Sequence, residues 1–558
     1  MLGLFLFSQH MTNDTLAEYF TLYAKLLDIH GDAPLKAKAA TNAAFTIERA
    51  TVTLATLPPN ELANVPGIGI STAKKIQEIL AQQSFAELTT LIAATPKGIL
   101  ELLQIKGIGP KKIQTLWKEL NLTTPEQVLV AAEANILQAT KGFGQKTQQT
   151  ILQATQFYLG NKNFLLYAQW EPFVSNLTRI TAEQFPDEAF LVAGSFARQL
   201  PVIEQLDFVT TIAAHAISNV LQQYNCEQKE TTENRQTWET EGHAFNIHFC
   251  TQQNLAQVYI QQTGSETFVQ SLPAIPTGTT LPQALEQLQI QHLPPFVWEQ
   301  PVTTLSAPPA NLVEPSNIKG IIHSHSTWSD GTHTLEEMAK EAQKQGFEYL
   351  VISDHSKSAF YANGLSVERI LQQHKQIEAL NAALYPFTIY KSIEADILND
   401  GSLDYDDEVL ALFDLVIASI HSQLQMPAEK AMQRLLAAVE NPYTTILGHC
   451  TGRLLLSREG YPVDHTALID ACAANNVVIE LNAHPKRLDI DWQYLPYMKQ
   501  RGVLTSINPD AHATDGFADI KYGCLVAQKA GITTYDNLSS FSKAAFEEFL
   551  QEQHSKRG

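Results

Sequence analysis

The stretch Ile318-Lys-Gly-Ile-Ile-His-Ser-His-Ser-Thr-Trp-Ser-Asp330-Gly331 decides how the rest of the chain is read. A β-prone apolar run, Gly320-Ile321-Ile322, delivers His323 and His325 two residues apart, and Asp330 follows before a turn glycine. In an extended chain residues i and i+2 face the same way, so both imidazoles can reach one ion. Taken alone, a His-x-His fits a pair of core histidines as well as a metal site. The sequence up to His512 repeats the arrangement, and that repetition carries the reading.

Seven short apolar, β-branched runs lie at 318–322, 349–352, 388–393, 415–420, 444–447, 477–481 and 503–507. Helical patterns at 335–345, 367–385, 428–439 and 465–474 separate several of them. Such βα alternation predicts a parallel, barrel-like sheet, in which chemistry gathers at the carboxyl ends of the strands. Each run is followed by polar groups suited to a metal. In order these are His323, His325 and Asp330; Asp354-His355; Glu394; Ser419-Ile420-His421; Gly448-His449; Asn482-Ala483-His484; and Asp510-Ala511-His512. Any one of these histidines would ordinarily be a core residue. Seven at corresponding strand ends predict a polynuclear metal site.

The charge balance is uneven. Residues 1–160 hold 13 Lys+Arg and 12 Asp+Glu, leaving 25 and 46 for the rest, a net −21. A nucleic-acid contact is therefore expected at the front, where basic clusters are not swamped by acid. Five cysteines without C-x-x-C spacing suit a reducing cytoplasm and give neither a disulfide framework nor a zinc finger. The apolar opening Met1 to Phe7 is too short for a signal segment or a membrane span. Met11 is an alternative start, because an amphipathic helix begins just after it.

The front carries three copies of one turn. They are Val65-Pro66-Gly67-Ile68-Gly69, Ile105-Lys106-Gly107-Ile108-Gly109 and Lys141-Gly142-Phe143-Gly144, each leading into a helix with lysine near its start. Two glycines permit close backbone approach, and a helix N-terminus offers free N–H groups and positive dipole. Lys74, Lys75, Lys111, Lys112 and Lys146 add counter-charge. A tight helix crossing would explain one copy; three copies predict a sequence-independent reader of a DNA backbone. The binding residues expected are Gly67, Gly69, Lys75, Gly107, Gly109, Lys111, Gly142 and Gly144.

These turns resemble the helix–hairpin–helix motif, and the chain from Met11 is similar to the front of bacterial X-family DNA polymerases. In some members a lysine after the first hairpin is a Schiff-base nucleophile at abasic sites; Lys75 stands at that position, with Lys74 beside it. The segment Phe190 to Arg198, with Gln205-Leu206-Asp207, resembles the α+β palm of that family. Gly194, Ser195, Arg198 and Asp207 match; the resemblance implies that Gly-Ser and Arg hold a triphosphate while three aspartates bind Mg²⁺. Here Gln205 stands at the first aspartate position and Asn246 at the third, so Mg²⁺ binding is in doubt and the module reads as degenerate. An alignment shifted by one residue would instead leave Asp207 with Glu204 or Glu239. Thr263-Gly264-Ser265 matches the thumb signature, with Glu266 where lysine is usual. Residues 296–317, rich in proline and small polar side chains, have linker composition.

The rear resembles the PHP (polymerase and histidinol phosphatase) family. The resemblance implies nine ligands: His323, His325, Asp330, His355, Glu394, His421, His449, Asp510 and His512. It also implies three ions, held by His323, His325, Glu394 and Asp510; by Glu394, His421 and His449; and by Asp330, His355 and His512. Imidazole-rich donors suit Mn²⁺, Zn²⁺ or Fe²⁺. Stretches 400–405 and 448–454 match PHP domains fused to X-family polymerases. Pro509 precedes Asp510 where a threonine is common, and is expected to shift its carboxylate. Glu394 and Asp510 are the expected catalytic carboxylates. Arg453 and Arg487 are candidates to grip a phosphate, or else structural ion-pair partners, and His484 is read as a supporting or surface residue.

The whole is expected to be multidomain: a helical front (11–160), a palm/thumb-like module (161–295), a linker (296–317) and a distorted (β/α)7 PHP barrel (318–558). The function favoured is a 3′→5′ exonuclease or 3′-end phosphoesterase in DNA repair, acting on gapped or 3′-end duplex and not on a membrane. A gap-filling polymerase with an editing site, a small-molecule phosphatase and a non-catalytic DNA-end scaffold are the alternatives.

Overall fold

In the computed structural model, residues 11–31, 33–50 and 52–557 are described; Met1 to Phe7 lies outside them. The chain divides into two compact units whose boundary falls between Lys162 and Asn163.

The front unit is helical. Thr12 caps the first helix, Asn13–His30, and Gly31 ends it in the left-handed region. The second helix, Pro34–Glu48, is shorter than the helical pattern that the sequence carries over 35–53. The Asn13 side chain explains why: it donates to the carbonyls of Ala50 and Val52 and accepts from Leu54 N–H, drawing the chain out of helix. In each hairpin the first glycine, Gly67, Gly107 or Gly142, has φ between 82° and 92°, which a side chain would strain. The apolar residue between the glycines, Ile68, Ile108 or Phe143, is buried as the anchor.

The second unit opens on a five-stranded sheet. Leu206–Thr210 lies between Phe190–Ala193, antiparallel, and His243–Phe249, parallel; Arg235–Thr240 and Glu227–Thr231 complete it. A second apolar cluster follows, around Ile260, Phe268, Ala284 and Trp298. The expected linker is partly built into these cores. Trp298 is buried in that cluster with Val302 and Leu305 against it, and Val313 is buried in the barrel core. Proline-rich composition here reflects short 3₁₀ turns over apolar anchors rather than free chain.

Seven parallel strands then follow one another in chain order: Gly320–Ser324, Tyr349–Ile352, Thr388–Asp396, Leu415–Ser419, Thr444–Leu447, Val478–Asn482 and Thr505–Asn508. The first and last come together at the rim through a bridge between Ser324 and Ala511, with His325 N–H donating to the Ala511 carbonyl at 2.8 Å. The near-barrel is packed on both faces, as the period-two alternation demands. Ile321, Leu350, Ile352, Val416 and Ala418 belong to the outer core. Ile322, Val351 and Ile417 pack in a separate cluster with Phe546, Phe549 and Leu550 of the last helix, Lys543–His554. Among the described residues no helix is long and apolar enough to cross a membrane, and the five cysteines are unpaired.

Candidate metal centre

The carboxyl ends of six of the seven strands place all nine expected ligands in one cluster. Three groups of donors converge, each with its atoms within 4.8 Å of one another: His325, Asp330, His355 and His512; His323, His325 and Asp510; and His355, Glu394 and His421. Glu394 is the hub. Its Oε1 lies 3.0 Å from His449 Nε2, 3.1 Å from His421 Nε2 and 3.3 Å from His323 Nε2. Its Oε2 lies 2.9 Å from His355 Nδ1 and 3.7 Å from His325 Nε2. Asp510 Oδ1 is 3.1 Å from His325 Nε2 and 3.4 Å from His323 Nε2, so Pro509 does not move that carboxylate away. Asp330 Oδ1 lies 3.5 Å from His512 Nε2 and 3.7 Å from His355 Nε2.

These separations suit shared ions. Two donors each about 2.1 Å from one ion stand roughly 3.0–3.5 Å apart. Moreover, His323 Nε2, His325 Nδ1, His355 Nδ1 and Glu394 Oε2 are buried without a hydrogen-bond partner, a state that buried polar atoms ordinarily avoid. His355 Nδ1 and Glu394 Oε2 sit 2.9 Å apart yet are misaligned for a hydrogen bond. Lone pairs converging on a common point account for both observations. The donor set fits several divalent ions.

The backbone reaches this arrangement differently from the extended chain that i, i+2 spacing assumes. His323 has φ 62° and Asp510 φ 52°, and the pairing register of the first strand shifts between Ile321 and Ser324. The left-handed residue re-aims the side chain locally. Strain of this kind persists where surrounding contacts over-determine it, and here they do.

Those contacts include residues that the pattern of strand ends did not single out. Glu480, fully buried in the sixth strand, accepts from His323 Nδ1 at 2.6 Å, His449 N–H at 3.1 Å, Asn482 Nδ2 at 2.9 Å and Asn508 Nδ2 at 2.9 Å. Asp396 pairs with His421 Nδ1, and the Asp510 carbonyl accepts from His512 Nδ1 at 2.9 Å. Each partner fixes a tautomer and leaves the other ring nitrogen facing the cluster. Asp354 belongs to none of the three donor groups. It collects Ser326 N–H and Oγ, Ser329 Oγ and Gln373 Nε2 at 2.5–2.8 Å, holding the loop that carries Asp330. His484 Nδ1 accepts Lys486 N–H at 3.2 Å, a supporting role.

Electrostatics follow the same division. Burial disfavours charge on His421, but Glu394 and Asp396 override it and hold its pKa at about 10. Against the same burial, Asp330 and Asp510 raise His512 to about 9. Burial, with His512 and His355 beside it, pushes His325 down to about 3. Burial opposes ionisation of Glu394 and Asp510 too, yet the imidazoles around them keep both carboxyls well below their ordinary range. Ions must therefore displace protons. Isothermal titration at pH 7.5 in buffers of differing ionisation enthalpy is expected to show proton release on Mn²⁺ uptake, from His421 and His512 among others, with affinity rising with pH. The sign for stability is opposite in the ion-free protein. Both imidazoles have raised pKa values, so their contribution is complete only below the ordinary histidine value of 6.5 and is lost progressively as pH climbs to about 9 to 10.

The two candidate arginines part company. Arg487 Nε lies 3.6 Å from Asp510 Oδ2, at the rim of the cluster. Arg453 instead donates to the carbonyls of Arg487 (3.0 Å) and Leu488 and to Asp491 (2.6 Å), the structural ion-pair role. Its guanidinium is spoken for because two loop carbonyls arrive beside it.

The palm-like sheet places Asp207 opposite Asn246 in register. Asp207 Oδ1 accepts from Gln205 Nε2 at 2.8 Å and Asn246 Nδ2 at 3.1 Å, and lies 2.9 Å from His248 Nε2. Glu239 pairs with Lys229 at 3.1 Å instead. Gly194 leaves room for Asp207, since a Cβ there would sit 2.8 Å from its carboxylate. Ser195 Oγ donates to the Gln205 carbonyl at 3.0 Å. Arg198, expected at a triphosphate, donates to Glu299 at 2.8 Å and to the Thr263 carbonyl at 2.6 Å. Among the described residues the three convergent donor groups all lie in the barrel.

In the front unit Gly69, Gly109 and Gly144 are the N-caps of Ile70–Gln82, Pro110–Lys118 and Gln145–Asn161, none with a side-chain cap. A Cβ at any of the three, or at Gly142, would meet nothing within 4 Å. They are open toward solvent and not packed at a helix crossing. Lys75 pairs with Glu87 and lies 5.2 Å from the Phe85 ring centre, which ties down the amine expected of a nucleophile.

Residues 11–85 match the helix-hairpin-helix domain family, 99–156 the SAM-like helix-hairpin-helix tandem and 322–484 the PHP domain. The chain is 33% identical over 565 residues to the DNA polymerase/3′-5′ exonuclease PolX of Bacillus subtilis, covering 95% of this chain and 97% of that protein. A probable phosphatase of Thermoanaerobacter sp. is 25% identical over 247 residues, 42% of this chain and 96% of the relative. One of Acetivibrio thermocellus is 30% identical over 169 residues, 29% of this chain and 64% of the relative. With helix–hairpin–helix domains at its front, a mixed sheet in its middle and a seven-stranded PHP near-barrel at its rear, the chain belongs to the PolX family.

Proposed function

We propose that this protein is a divalent-metal-dependent 3′→5′ exonuclease that trims DNA 3′ ends in repair, with a catalytically silent polymerase module. The observation that carries the reading is the Glu394 hub, a buried carboxylate ringed by five imidazoles with unsatisfied nitrogen and oxygen atoms beside it. The B. subtilis relative, whose name includes a 3′-5′ exonuclease, supports the exonuclease part of this reading. The division into 11–160, 161–295, 296–317 and 318–558 belongs to the same proposal, as does a reducing cytoplasm in which unpaired cysteines persist.

The nine side chains would hold three ions, with Mn²⁺ the first choice and Zn²⁺ or Fe²⁺ the alternatives for so many imidazoles. Bound there, divalent ions supply a Lewis acid at the phosphate oxygens and an ionised water near neutral pH. The chain's own residues do the rest. Glu480, Asp396 and the Asp510 carbonyl orient three imidazoles. Glu394 and Asp510 carry charge at the centre of the cluster, and Arg487 stands within reach of a phosphate bound beside Asp510. The uncapped hairpin helices offer N–H groups to the DNA backbone without reading sequence. Lys111→Ala is accordingly expected to weaken DNA binding equally for all sequences and to reduce the slope of log affinity against log salt by about one.

The test incubates the protein and Mn²⁺ with 5′-labelled gapped DNA, with and without the four dNTPs, beside His323→Ala. Shortening by the wild type alone supports the proposal. Extension with dNTPs would establish a polymerase. Inert DNA with hydrolysis of a phosphomonoester would establish a phosphatase, the activity in the names of relatives that match 42% and 29% of this chain.

A further inference from the structure

The loop that leaves His355 is fixed at both ends. Ser356 N–H donates to the Glu394 carbonyl at 3.1 Å, Leu365 N–H donates to the His355 carbonyl at 2.9 Å, and Ser356 bridges Leu365. Ser358 is held by Asp404, through N–H at 2.6 Å and Oγ at 2.5 Å. Arg369 reaches across to the carbonyls of Asn363 at 2.7 Å and Gly364 at 3.2 Å. A Cβ on Gly364 would collide with the Ser356 carbonyl at 1.9 Å, so only glycine closes the loop this tightly. Ala359 and Ala362 are buried beneath it.

Between those alanines the loop presents two adjacent aromatic residues to solvent, Phe360 at 88% exposure and Tyr361 at 73%. The Tyr361 ring lies 6.3 Å from that of His355, a member of the cluster. Large apolar side chains held out by a locked loop do not serve the core. Rings presented this way lose little conformational freedom when a flat partner settles on them. What arrives at this rim is a nucleic-acid end whose phosphate enters the cluster, and its bases carry the only flat apolar faces.

We propose that Phe360 and Tyr361 form a stacking platform for the base of the 3′-terminal nucleotide. The inference rests on the nuclease reading. Stacking tolerates any base, in keeping with a front that reads only backbone.

The test compares wild type with the double variant Phe360→Ala/Tyr361→Ala on two 5′-labelled oligonucleotides, one ending in an ordinary nucleotide and one in an abasic residue. Both positions are exposed, so folding should be retained. The expected result is a loss of about ten- to a hundredfold in kcat/KM on the ordinary end, carried mainly by KM, with equal rates for the two proteins on the abasic end. Phe360→Trp with Tyr361→Phe should restore the ordinary end. Equal loss on both oligonucleotides would overturn the proposal in favour of a structural role at the metal site. Loss on neither would overturn it in favour of a protein-docking patch. Binding read from a 3′-terminal 2-aminopurine, without added metal, separates this proposal from the nuclease reading. Quenching by wild type and not by the double variant is expected, and identical signals would refute the platform even if no DNA were cut.

Discussion

Glu394→Gln is expected to slow 3′-end trimming by about a thousandfold or more, while binding of the same DNA is unchanged. Gln keeps the shape and removes the charge at the one carboxylate within 3.7 Å of five imidazoles. The amide also turns N–H groups toward ring nitrogens whose lone pairs point inward. Three carboxylates, Asp330, Glu394 and Asp510, would balance the charge of cations held by this cluster. Losing the central one should cost several kcal/mol of transition-state stabilisation, and each 1.36 kcal/mol is tenfold in rate. Metal content after dialysis against Mn²⁺, measured by mass spectrometry, should fall in parallel. Full activity in Glu394→Gln would remove the hub from the chemistry. A milder effect, roughly ten- to a hundredfold in metal affinity, is expected for Glu480→Gln, which touches no ion and acts through His323.

The second large effect concerns the palm-like sheet. With Mg²⁺ and all four dNTPs the wild type is expected to leave a primer unextended, because one carboxylate stands where a two-ion site needs three. That carboxylate is already engaged by two amides and His248. The converse variant, Gln205→Asp/Asn246→Asp, made in a Glu394→Gln background, places two further carboxylates beside Asp207. Like charges this close repel, so its Tm should fall in chelator and recover on adding Mn²⁺ or Mg²⁺. A primer extended by the wild type, or a variant whose Tm ignores the ions, would contradict the account. Extension by the variant is not expected, since Arg198 remains tied to Glu299 and Thr263.

Much of the candidate site is legible because each ligand sits where an apolar β run ends, and the sheet then converges those ends without further instruction. His323, Glu394, His421, His449 and Asp510 could be placed on one rim from spacing alone. Their conformation could not. His323, left-handed like Asp510, is held by Glu480 at its Nδ1 and by Ala511 N–H at its carbonyl, both far away in the chain. Glu480 itself left a trace, a carboxylate inside the apolar run 477–481, which only a buried partner could justify. The arginines left none. Arg453 and Arg198 look like phosphate ligands in the sequence, and carbonyls brought in by tertiary packing claim them. The hairpin glycines were readable as close-approach positions, and the open space over Gly69, Gly109 and Gly144 fits that reading.

Anomalous diffraction at the manganese edge, from crystals grown with Mn²⁺, tests the central claim most directly. The account predicts three peaks inside the ring of His323, His325, Asp330, His355, Glu394, His421, His449, Asp510 and His512, with Glu394 ligating more than one. An empty ring, or density confined to surface carboxylates, would contradict it.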